Sequence, residues 1–507
     1  MKRYIVTLLV LFSFVYSYAQ ENIREINIVH WNDFHARNVA YKTTKKKDGE
    51  TTEYYIGGTG SMLGYLNKYR NKNTLVMHGG DDFQGSPISS ITRGKSQIEL
   101  MNLYGIDAFV VGNHEFDYGY QALDSALSDA NFDVLSGNVY RISDKRTFGK
   151  SYVVKEKNGV KVGIIGVSPI DLQTLTLPKN VEGLSVLNTD SVITACIGEL
   201  KAQKCNLIVL LSHCGIEEDK YFAENFHKDI DVIIGGHSHT PIFKPQVVDG
   251  VLICQAGSYG KYIGKIDMKV DVVKDTVVEY FGFLKETKMD PAIYDKTAGD
   301  KVDAMIAAIE PEMKKVIGTL ETPWKKDNCG QWTADALRTM FKTDVAFMNS
   351  GSIRKDLPKG DITVGDIWEI NPFGNSIVTF KVKGSTLKKM MANNITKAMK
   401  DATLNDYDMI IISGMRIKID GSQKNPKNPE DIIVSIKLDG KNLDPEKTYS
   451  VCTNSYTASQ AKKYFGDFGV ELDVVDTNVI DRDALMDAVR QQKVINSVYE
   501  KRVVDEK

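Results

Sequence analysis

The first half of the chain alternates short apolar runs rich in β-branched residues with segments of helical spacing. The apolar runs lie at residues 26–31, 74–78, 107–112, 160–167, 207–212 and 231–235. Between several of them apolar side chains recur every three or four residues, as at Met62, Leu66 and Tyr69. Strand-like runs that alternate with helix-like segments predict a layered α/β architecture, in which helices cover a buried sheet.

The same alternation restarts in the second half of the chain. A charged stretch at 285–301 leads into Val302, Met305 and Ile309, whose spacing predicts a linking helix. We expect Pro311 to break this helix or to start another one. The pattern beyond it predicts helices at 332–341 and 387–391 and strands at 344–348, 377–382 and 449–453.

These patterns divide the 507 residues into four segments. We expect a removable signal peptide at 1–20, a first α/β domain at 21–295, a linker helix at 296–318 and a smaller α/β domain at 319–507. A single small binding module is excluded by this length.

The N-terminus has the composition of a secretory signal. Lys2 and Arg3 precede an apolar stretch, and Ser17-Tyr18-Ala19 supplies the small-x-small pattern of a cleavage site. The stretch is shorter than the roughly 20 residues of a membrane-spanning helix. Because the first cysteine is Cys196, no lipid attachment at a mature N-terminal cysteine is expected. The sequence therefore predicts a periplasmic or secreted protein without a stable membrane anchor.

The overall charge excludes one class of partner. The chain has 64 basic and 66 acidic residues, which gives a formal net charge of −2. No global positive field exists to hold a nucleic-acid polymer or an anionic membrane surface. Any recognition of phosphate must be local.

Five of the eight histidines stand in short polar clusters, each directly after a predicted strand of the first domain. The clusters are Asp33-Phe34-His35, Gly80-Asp81-Asp82, Gly112-Asn113-His114-Glu115-Phe116-Asp117, Ser212-His213 and Gly235-Gly236-His237-Ser238-His239. The crevice beyond the carboxyl ends of strands is where open α/β sheets bind ligands, so the five clusters can converge on one site.

The side chains in these clusters are those of a metal site. Carboxylate, imidazole and amide donors without cysteine suit Zn, Mn or Fe. The pair His237 and His239 would point the same way in an extended chain, whereas in a tight turn it could diverge onto two adjacent ions. Of the other histidines, we expect His30 in the core or behind the site, His78 behind the site and His227 on the surface.

These motifs resemble those of the calcineurin-like metallophosphoesterases. More narrowly, residues 28–35, 80–85 and 112–117 are similar to the secreted 5'-nucleotidase and UDP-sugar hydrolase family. The second domain adds Asn349-x-Gly351-x-Ile353-Arg354, Asn371-Pro372-Phe373-Gly374-Asn375 and Ser413-Gly414-Met415-Arg416. The resemblance implies a four-layer metallophosphoesterase sandwich of mixed sheets flanked by helices, followed by a smaller α/β substrate-binding domain.

The resemblance also implies a role for each site residue. One divalent ion would be held by Asp33, His35, Asp81 and His239, and the other by Asp81, Asn113, His213 and His237. His114 would point at the scissile phosphate, with Asp117 as its orienting partner. Phe373 and Tyr456 would lie on opposite faces of a nucleobase, and Asn349 and Arg354 would contact the nucleoside or the phosphate.

The sequence departs from the family pattern in the second domain. After Tyr456-Thr457-Ala458 the family usually has a Gly-Gly-Asp turn, but this chain continues with residues 459–463, Ser-Gln-Ala-Lys-Lys. The usual Gly-Asn-Leu is Gly330-Gln331-Trp332. The acidic ligand contact is therefore missing or displaced to Asp467.

The resemblance predicts a two-metal phosphohydrolase that acts on nucleoside 5'-monophosphates, and also on 2',3'-cyclic nucleotides or nucleotide sugars. An alternative is a hydrolase of the same fold that acts on a sugar phosphate or a sulfate-thiol ester. A non-catalytic nucleotide-binding protein is a further alternative, and it would require a vestigial metal centre.

Overall fold

The computed structural model describes residues 22–47, 50–176, 178–400, 409–423 and 426–506. The expected signal peptide at 1–20 lies outside the described residues. The chain separates into two compact units, and the change from one to the other falls between Ala307 and Ala308. That position lies inside the segment 296–318 predicted as a linker helix.

The first unit alternates strands and helices as the sequence predicts. Its strands are β1 Ile23–Trp31, β2 Tyr41–Lys47, β3 Glu50–Ile56, β4 Thr74–His78, β5 Ala108–Val110, β6 Asp133–Leu135, β7 Val139–Arg141, β8 Tyr152–Lys157, β9 Val160–Val167, β10 Leu184–Val186, β11 Leu207–Ser212, β12 Val232–Ile234, β13 Gln246–Val248, β14 Val251–Cys254, β15 Tyr262–Asp271 and β16 Thr276–Glu286. Its helices are α1 Thr59–Tyr69, α2 Pro87–Thr92, α3 Lys95–Met101, α4 Tyr120–Leu127, α5 Leu172–Leu175, α6 Thr189–Ala202, α7 Ile216–Phe226 and α8 Lys296–Met313, the last of which passes the change of unit.

Two six-stranded sheets form the centre of this unit. Their strand orders are β16-β15-β1-β4-β5-β6 and β13-β14-β12-β11-β9-β8. In each sheet a parallel block carries antiparallel strands at its edge, so both sheets are mixed.

The period-two alternation of side chains explains why the sheets stack. Ile28, Met77 and Val110 of one sheet pack in a single buried cluster with Val209 and Ile234 of the other. The residues that alternate with them face outward onto helices, so each sheet is apolar on both sides. The helix-sheet-sheet-helix order confirms the four-layer sandwich.

The linking helix differs from the expectation in one respect. Helix α8 runs through Pro311 and ends only at Met313, two residues later. The prediction that Pro311 breaks the helix is therefore wrong. Proline lacks a backbone N–H and so removes one hydrogen bond of the last turn, but the helix extends only two residues beyond it.

The described residues of the second unit form three smaller sheets. Its strands are β17 Val316–Leu320, β18 Val345–Asn349, β19 Gly360–Thr363, β20 Ser376–Lys383, β21 Ile410–Ser413, β22 Met415–Ile419, β23 Ile433–Leu438, β24 Lys441–Asn442, β25 Thr448–Asn454, β26 Val475–Ile480, β27 Val494–Ile495 and β28 Val503–Asp505. Its helices are α9 Lys326–Phe341, α10 Val364–Ile370, α11 Gly384–Lys400, α12 Ser455–Ser459, α13 Ala461–Phe465 and α14 Asp481–Gln492. Each helix and strand predicted for this half is present.

A five-stranded sheet, ordered β21-β18-β25-β20-β26, organises the second unit. Strands β18 and β25 are parallel and end at Asn349 and Asn454, whereas β20 is antiparallel to β25 and begins at Ser376. The segments that follow β18 and β25 and the segment that precedes β20 therefore meet at one edge of this sheet. Among the described residues, no helix is long and apolar enough to cross a membrane.

Candidate metal centre

Five of the seven predicted metal ligands have an uncommon backbone conformation. The values of φ are +51° at Asp33, +51° at His35, +61° at Asp81, +72° at His237 and +54° at His239. Residues other than glycine rarely adopt positive φ, and such strain tends to collect at functional sites. These turns change the direction of the chain directly after the strand, which keeps the polar side chains close to the strand ends.

One group of donors comprises Asp33, His35 and His239, whose ligand atoms all lie within 4.8 Å of one another. The Nε2 atoms of His35 and His239 are 3.0 Å apart, and Nε2 of His239 is 3.2 Å from Oδ1 of Asp33. Two imidazole nitrogens this close can share at most one hydrogen bond, whereas both can donate lone pairs to one cation.

A second group comprises Asp81, His213 and His237, again within 4.8 Å of one another. Nε2 of His213 is 3.0 Å from Oδ2 of Asp81, and Nδ1 of His237 is 3.0 Å from Oδ1 of Asn113. Asp81 also lies within the same distance of His35 and His114. Its carboxylate is therefore in reach of both groups.

His213 provides a test of whether these residues fit a metal ion. Its Nδ1 is 2.5 Å from the carbonyl oxygen of Gly79 and donates to it. Its buried Nε2, although close to Asp81, makes no hydrogen bond of proper geometry with the described residues. A carbonyl that fixes one ring nitrogen as a donor leaves the other free to coordinate, which is the arrangement of a metal-bound histidine. The donor set therefore fits a metal ion.

The electrostatics of the centre demand positive charge. Burial would lower the pKa of His213, but the carboxylates of Asp81 and Asp33 outweigh burial and raise this pKa to about 10. Burial would raise the pKa of Asp81, yet His213 and His114 hold it well below its usual value. Protons or metal ions must supply the charge that stabilises these carboxylates.

His114 stands beside both groups and is oriented by an acid. Its Nδ1 is 2.8 Å from Oδ2 of Asp117, and its backbone N–H donates to Oδ1 of Asp81 over 2.9 Å. Burial would lower the pKa of His114, but Asp117 and Asp81 raise it to about 10. The imidazolium form is therefore favoured, with Nε2 as its remaining donor.

The four residues predicted to bind substrate lie at one edge of the five-stranded sheet in the second unit. Oδ1 of Asn349, at the end of β18, accepts hydrogen bonds from Asn454 and Thr457, which flank Tyr456. Tyr456 is 42% exposed. Arg354 does not extend freely into solvent, because its guanidinium lies 4.8 Å from the ring centroid of Phe373.

The segment that replaces the Gly-Gly-Asp turn folds into the end of α12 and the start of α13. Asp467 lies beyond α13, and its carboxylate accepts the backbone N–H of Gly469 over 2.9 Å. It therefore supports its own turn, and a role as the displaced ligand contact stays a prediction.

Comparison with known protein families agrees with both halves of this description. Residues 26–241 match the family described as calcineurin-like phosphoesterase, and residues 309–467 match the 5'-nucleotidase C-terminal domain. The chain therefore combines a calcineurin-like phosphoesterase domain with a 5'-nucleotidase C-terminal domain. Calcineurin-like phosphoesterases use two divalent metal ions, and the Asp and His groups of the first domain are able to bind such ions, so the chain is a metal-dependent phosphoesterase.

Individual relatives have low sequence identity to this chain, but the matches extend over most of its length. The crystal structure of the 5'-nucleotidase precursor from Thermus thermophilus has a TM-score of 0.71 and 28% identity, and the match covers 95% of this chain and 99% of that one. A 5'-nucleotidase-related protein from Glossina morsitans morsitans is 26% identical, with 93% of each chain covered. Endonuclease YhcR of Bacillus subtilis is 28% identical over 87% of this chain, which spans only 37% of that protein's length.

Glu115 is a central residue of the metal centre, and the sequence analysis assigned it no role. Its buried carboxylate accepts the backbone N–H groups of Asp81, Asp82 and Phe83 over 3.0, 2.6 and 3.2 Å, and that of Gly112 over 2.7 Å. One side chain thus ties the loop that carries Asp81 to the loop that carries Asn113. The sequence did show an acidic residue inside a cluster of predicted metal ligands. An acid in that place is more readily interpreted as a metal ligand than as an acceptor for backbone N–H groups.

A second buried network lies behind the same loops. Nε2 of His78 is 2.9 Å from Oδ2 of Asp82, and the amide of Gln97 donates to the other oxygen of Asp82 over 2.6 Å. The expectation that His78 lies behind the site is confirmed. His30 is buried in the core, and His227 is exposed, both as expected.

We expect Glu115→Gln to weaken metal binding without unfolding the protein. The amide offers one acceptor oxygen where the carboxylate offers two, and its NH₂ group would face backbone N–H donors. Loss of such support for a ligand typically lowers metal affinity about 10- to 100-fold. Metal titration followed by calorimetry measures this change.

Asp267→Asn is the matched control, because Asp267 is a 45% exposed acid that pairs with Lys265. It should bind metal as the unaltered protein does. Unchanged metal affinity in Glu115→Gln would contradict the supporting role of Glu115.

Proposed function

We propose that this enzyme releases inorganic phosphate from nucleoside 5'-monophosphates. The observation that carries the proposal is the pair of N/O donor groups that both lie within reach of Asp81, with the His114–Asp117 pair directly beside them. A monophosphate presents a dianion, and two divalent ions against two carboxylates leave a centre of net positive charge to receive it.

We assign Asp33, His35, Asp81 and His239 to one ion and Asp81, Asn113, His213 and His237 to the other. The contacts within each group support this assignment, as does the position of Asp81 within reach of both. When bound, the two ions supply an activated water nucleophile and neutralise charge on the phosphoryl group.

The protein's own contribution begins at His114. An imidazolium beside the donor groups can donate a hydrogen bond to a phosphoryl oxygen or protonate the leaving oxygen. Asp117 holds the ring through Nδ1 and stabilises its positive charge, so that Nε2–H is the donor available to substrate.

The second unit supports a nucleotide rather than a simple phosphate ester as substrate. Phe373 and Tyr456 supply aromatic surface at one sheet edge, and base stacking tolerates different bases. Because the guanidinium of Arg354 covers one face of Phe373, we propose that a base stacks on the other face. Asn349 lies at the same edge and would face the sugar.

We also propose an extracytoplasmic location, periplasmic or secreted, on the strength of the N-terminal charge and hydrophobicity pattern. Export of the mature enzyme would place it where nucleotides arrive from outside the cell. Detection of a mature N-terminus near residue 20 in the exported fraction would test the location.

The principal test of function is phosphate release across a substrate panel. We expect the protein loaded with Mn or Zn to hydrolyse nucleoside 5'-monophosphates in preference to ribose 5-phosphate, and a chelator to abolish turnover until metal is returned. The panel includes 2',3'-cyclic nucleotides, nucleotide sugars, sugar phosphates and sulfate-thiol esters, because the altered segment 459–463 leaves the base contact different from the family pattern. Release of phosphate or sulfate from another member of the panel, but not from nucleotides, would overturn the proposal.

The pH dependence should report the His114–Asp117 pair. A proton donor with a pKa near 10 loses its proton as the pH rises through that value, so activity should fall on the alkaline side. Asp117→Asn removes the main source of the raised pKa of His114, and the fall should begin at lower pH. His114→Ala should lower kcat by about 10²- to 10⁴-fold.

Rates measured as a function of pH, with metal content determined in parallel, check this expectation. An alkaline limb that stays in place in Asp117→Asn would show that His114 is not the titrating donor.

Phe373→Ala should raise the KM for adenosine 5'-monophosphate. Loss of base stacking costs about 1 to 3 kcal/mol, which corresponds to roughly 5- to 150-fold in affinity. Ribose 5-phosphate has no base, so its kinetics provide the internal control. Equal losses with both substrates would mean that Phe373 acts through folding rather than through the base.

A further inference from the structure

The loop 235–240, which carries two predicted metal ligands, is held from behind by a single buried amide. Gln255 directly follows strand β14, and its side chain is fully buried. Its Nε2 donates to the carbonyl oxygen of Gly236 over 3.1 Å. Its Oε1 accepts the hydroxyl of Ser238 over 3.0 Å and the backbone N–H of Thr240 over 2.5 Å. Both ends of the amide are therefore used on one loop.

These three contacts fall on alternate residues of the loop. The residues between them are His237 and His239, and both have positive φ, +72° and +54°. Nδ1 of His237 is 3.0 Å from Oδ1 of Asn113, whereas Nε2 of His239 is 3.0 Å from Nε2 of His35. Gln255 thus holds the chain on each side of both imidazoles, and the two rings diverge toward different donor groups.

One of the contacts extends to the segment that follows His213. The hydroxyl of Ser238 also accepts the backbone N–H of Ile216, at the start of α7, over 3.1 Å. The first N–H groups of a helix have no partner within the helix, so a side chain from another loop satisfies this one. Gln255 is therefore linked through Ser238 to a third ligand-bearing segment.

The backbone at Gln255 is itself fixed on both sides. Its carbonyl oxygen accepts the N–H of Ile242 over 2.9 Å. The N–H of the next residue, Ala256, donates to Oδ1 of Asn32 over 2.7 Å, and the amide of Asn32 donates in turn to Oδ2 of Asp33 over 2.6 Å. Because Gln255 is held in this way, it can act as a fixed support for the loop that it contacts.

We propose that Gln255 is a positioning residue that sets both metal ions together, through His239 for one ion and through His237 for the other. This inference rests on the assignment of these two histidines to two ions under the proposed function. Loss of the Gln255 side chain should weaken the binding of both ions, because one amide holds the backbone beside both ligands. Loss of a support for a single ligand would weaken one ion only.

The test measures Co²⁺ binding to the full-length protein by calorimetry and by the visible absorption of the bound ion, which reports the geometry of its ligands. Gln255→Met keeps the unbranched shape of the side chain but removes all three hydrogen bonds. Its affinity for both ions should fall about 10- to 100-fold, and the absorption spectrum should change. Gln246→Met, at an exposed glutamine of edge strand β13, should bind Co²⁺ as the unaltered protein does.

Ser238→Ala provides a second variant, because Ser238 is exposed and its hydroxyl makes no part of the core. It removes one of the three hydrogen bonds of Gln255, so the affinity should fall by less than in Gln255→Met. In the double variant the loss should be smaller than the sum of the two, since both substitutions break the same contact. Fully additive losses, or an unchanged affinity and spectrum in either single variant, would overturn the role of Gln255.

The number of bound ions separates this inference from the proposed function. If the unaltered protein binds fewer than two Co²⁺ ions, the assignment to two ions fails and the role of Gln255 at both ions fails with it. If the protein binds two ions but releases no phosphate from nucleotides, the proposed function fails. The comparison of affinities among the variants would then still decide the role of Gln255.

Discussion

The attraction between two buried carboxylates and positive charge governs the first unit. Asp33 and Asp81 are almost completely buried at the rim where both sheets end. Carboxylates in such a place are unstable unless cations or protonated imidazoles surround them. The five histidines of four loops meet this demand, and each loop depends on the strand before it for its position. The sandwich therefore brings loops that are far apart in the sequence together around Asp33 and Asp81.

The supporting side chains make this arrangement rigid. Glu115 collects four backbone N–H groups from two loops, and Asp82 and Gln97 continue the buried polar network behind them. Because polar groups buried without partners are costly, the network holds together only as a set. The net charge of the whole chain, −2, gives no indication of this local concentration of acids or of the cations that they require.

The sequence predicted most of the fold and the location of the candidate site. The β-branched runs fixed the strands, and the polar clusters after them fixed which edge of each sheet carries the ligands. The role of Glu115 could not be read from the sequence, because its partners at 81–83 lie more than thirty positions away and are backbone atoms. Helix α8 continues for two residues beyond Pro311, so the loss of one backbone hydrogen bond does not end it at the proline. The stacking of Arg354 on Phe373 likewise depends on two loops that meet only in the folded sheet.

At the five ligand residues with positive φ, the requirement for metal binding lowers the stability of the protein. Glycine would occupy each of these positions with less strain than aspartate or histidine does, but it would carry no donor atom. Variants enriched for heat resistance alone would therefore tend to lose the ligands one at a time. A screen that raises temperature while requiring bound metal should instead leave these five positions untouched and find its improvements in the cores of the two units.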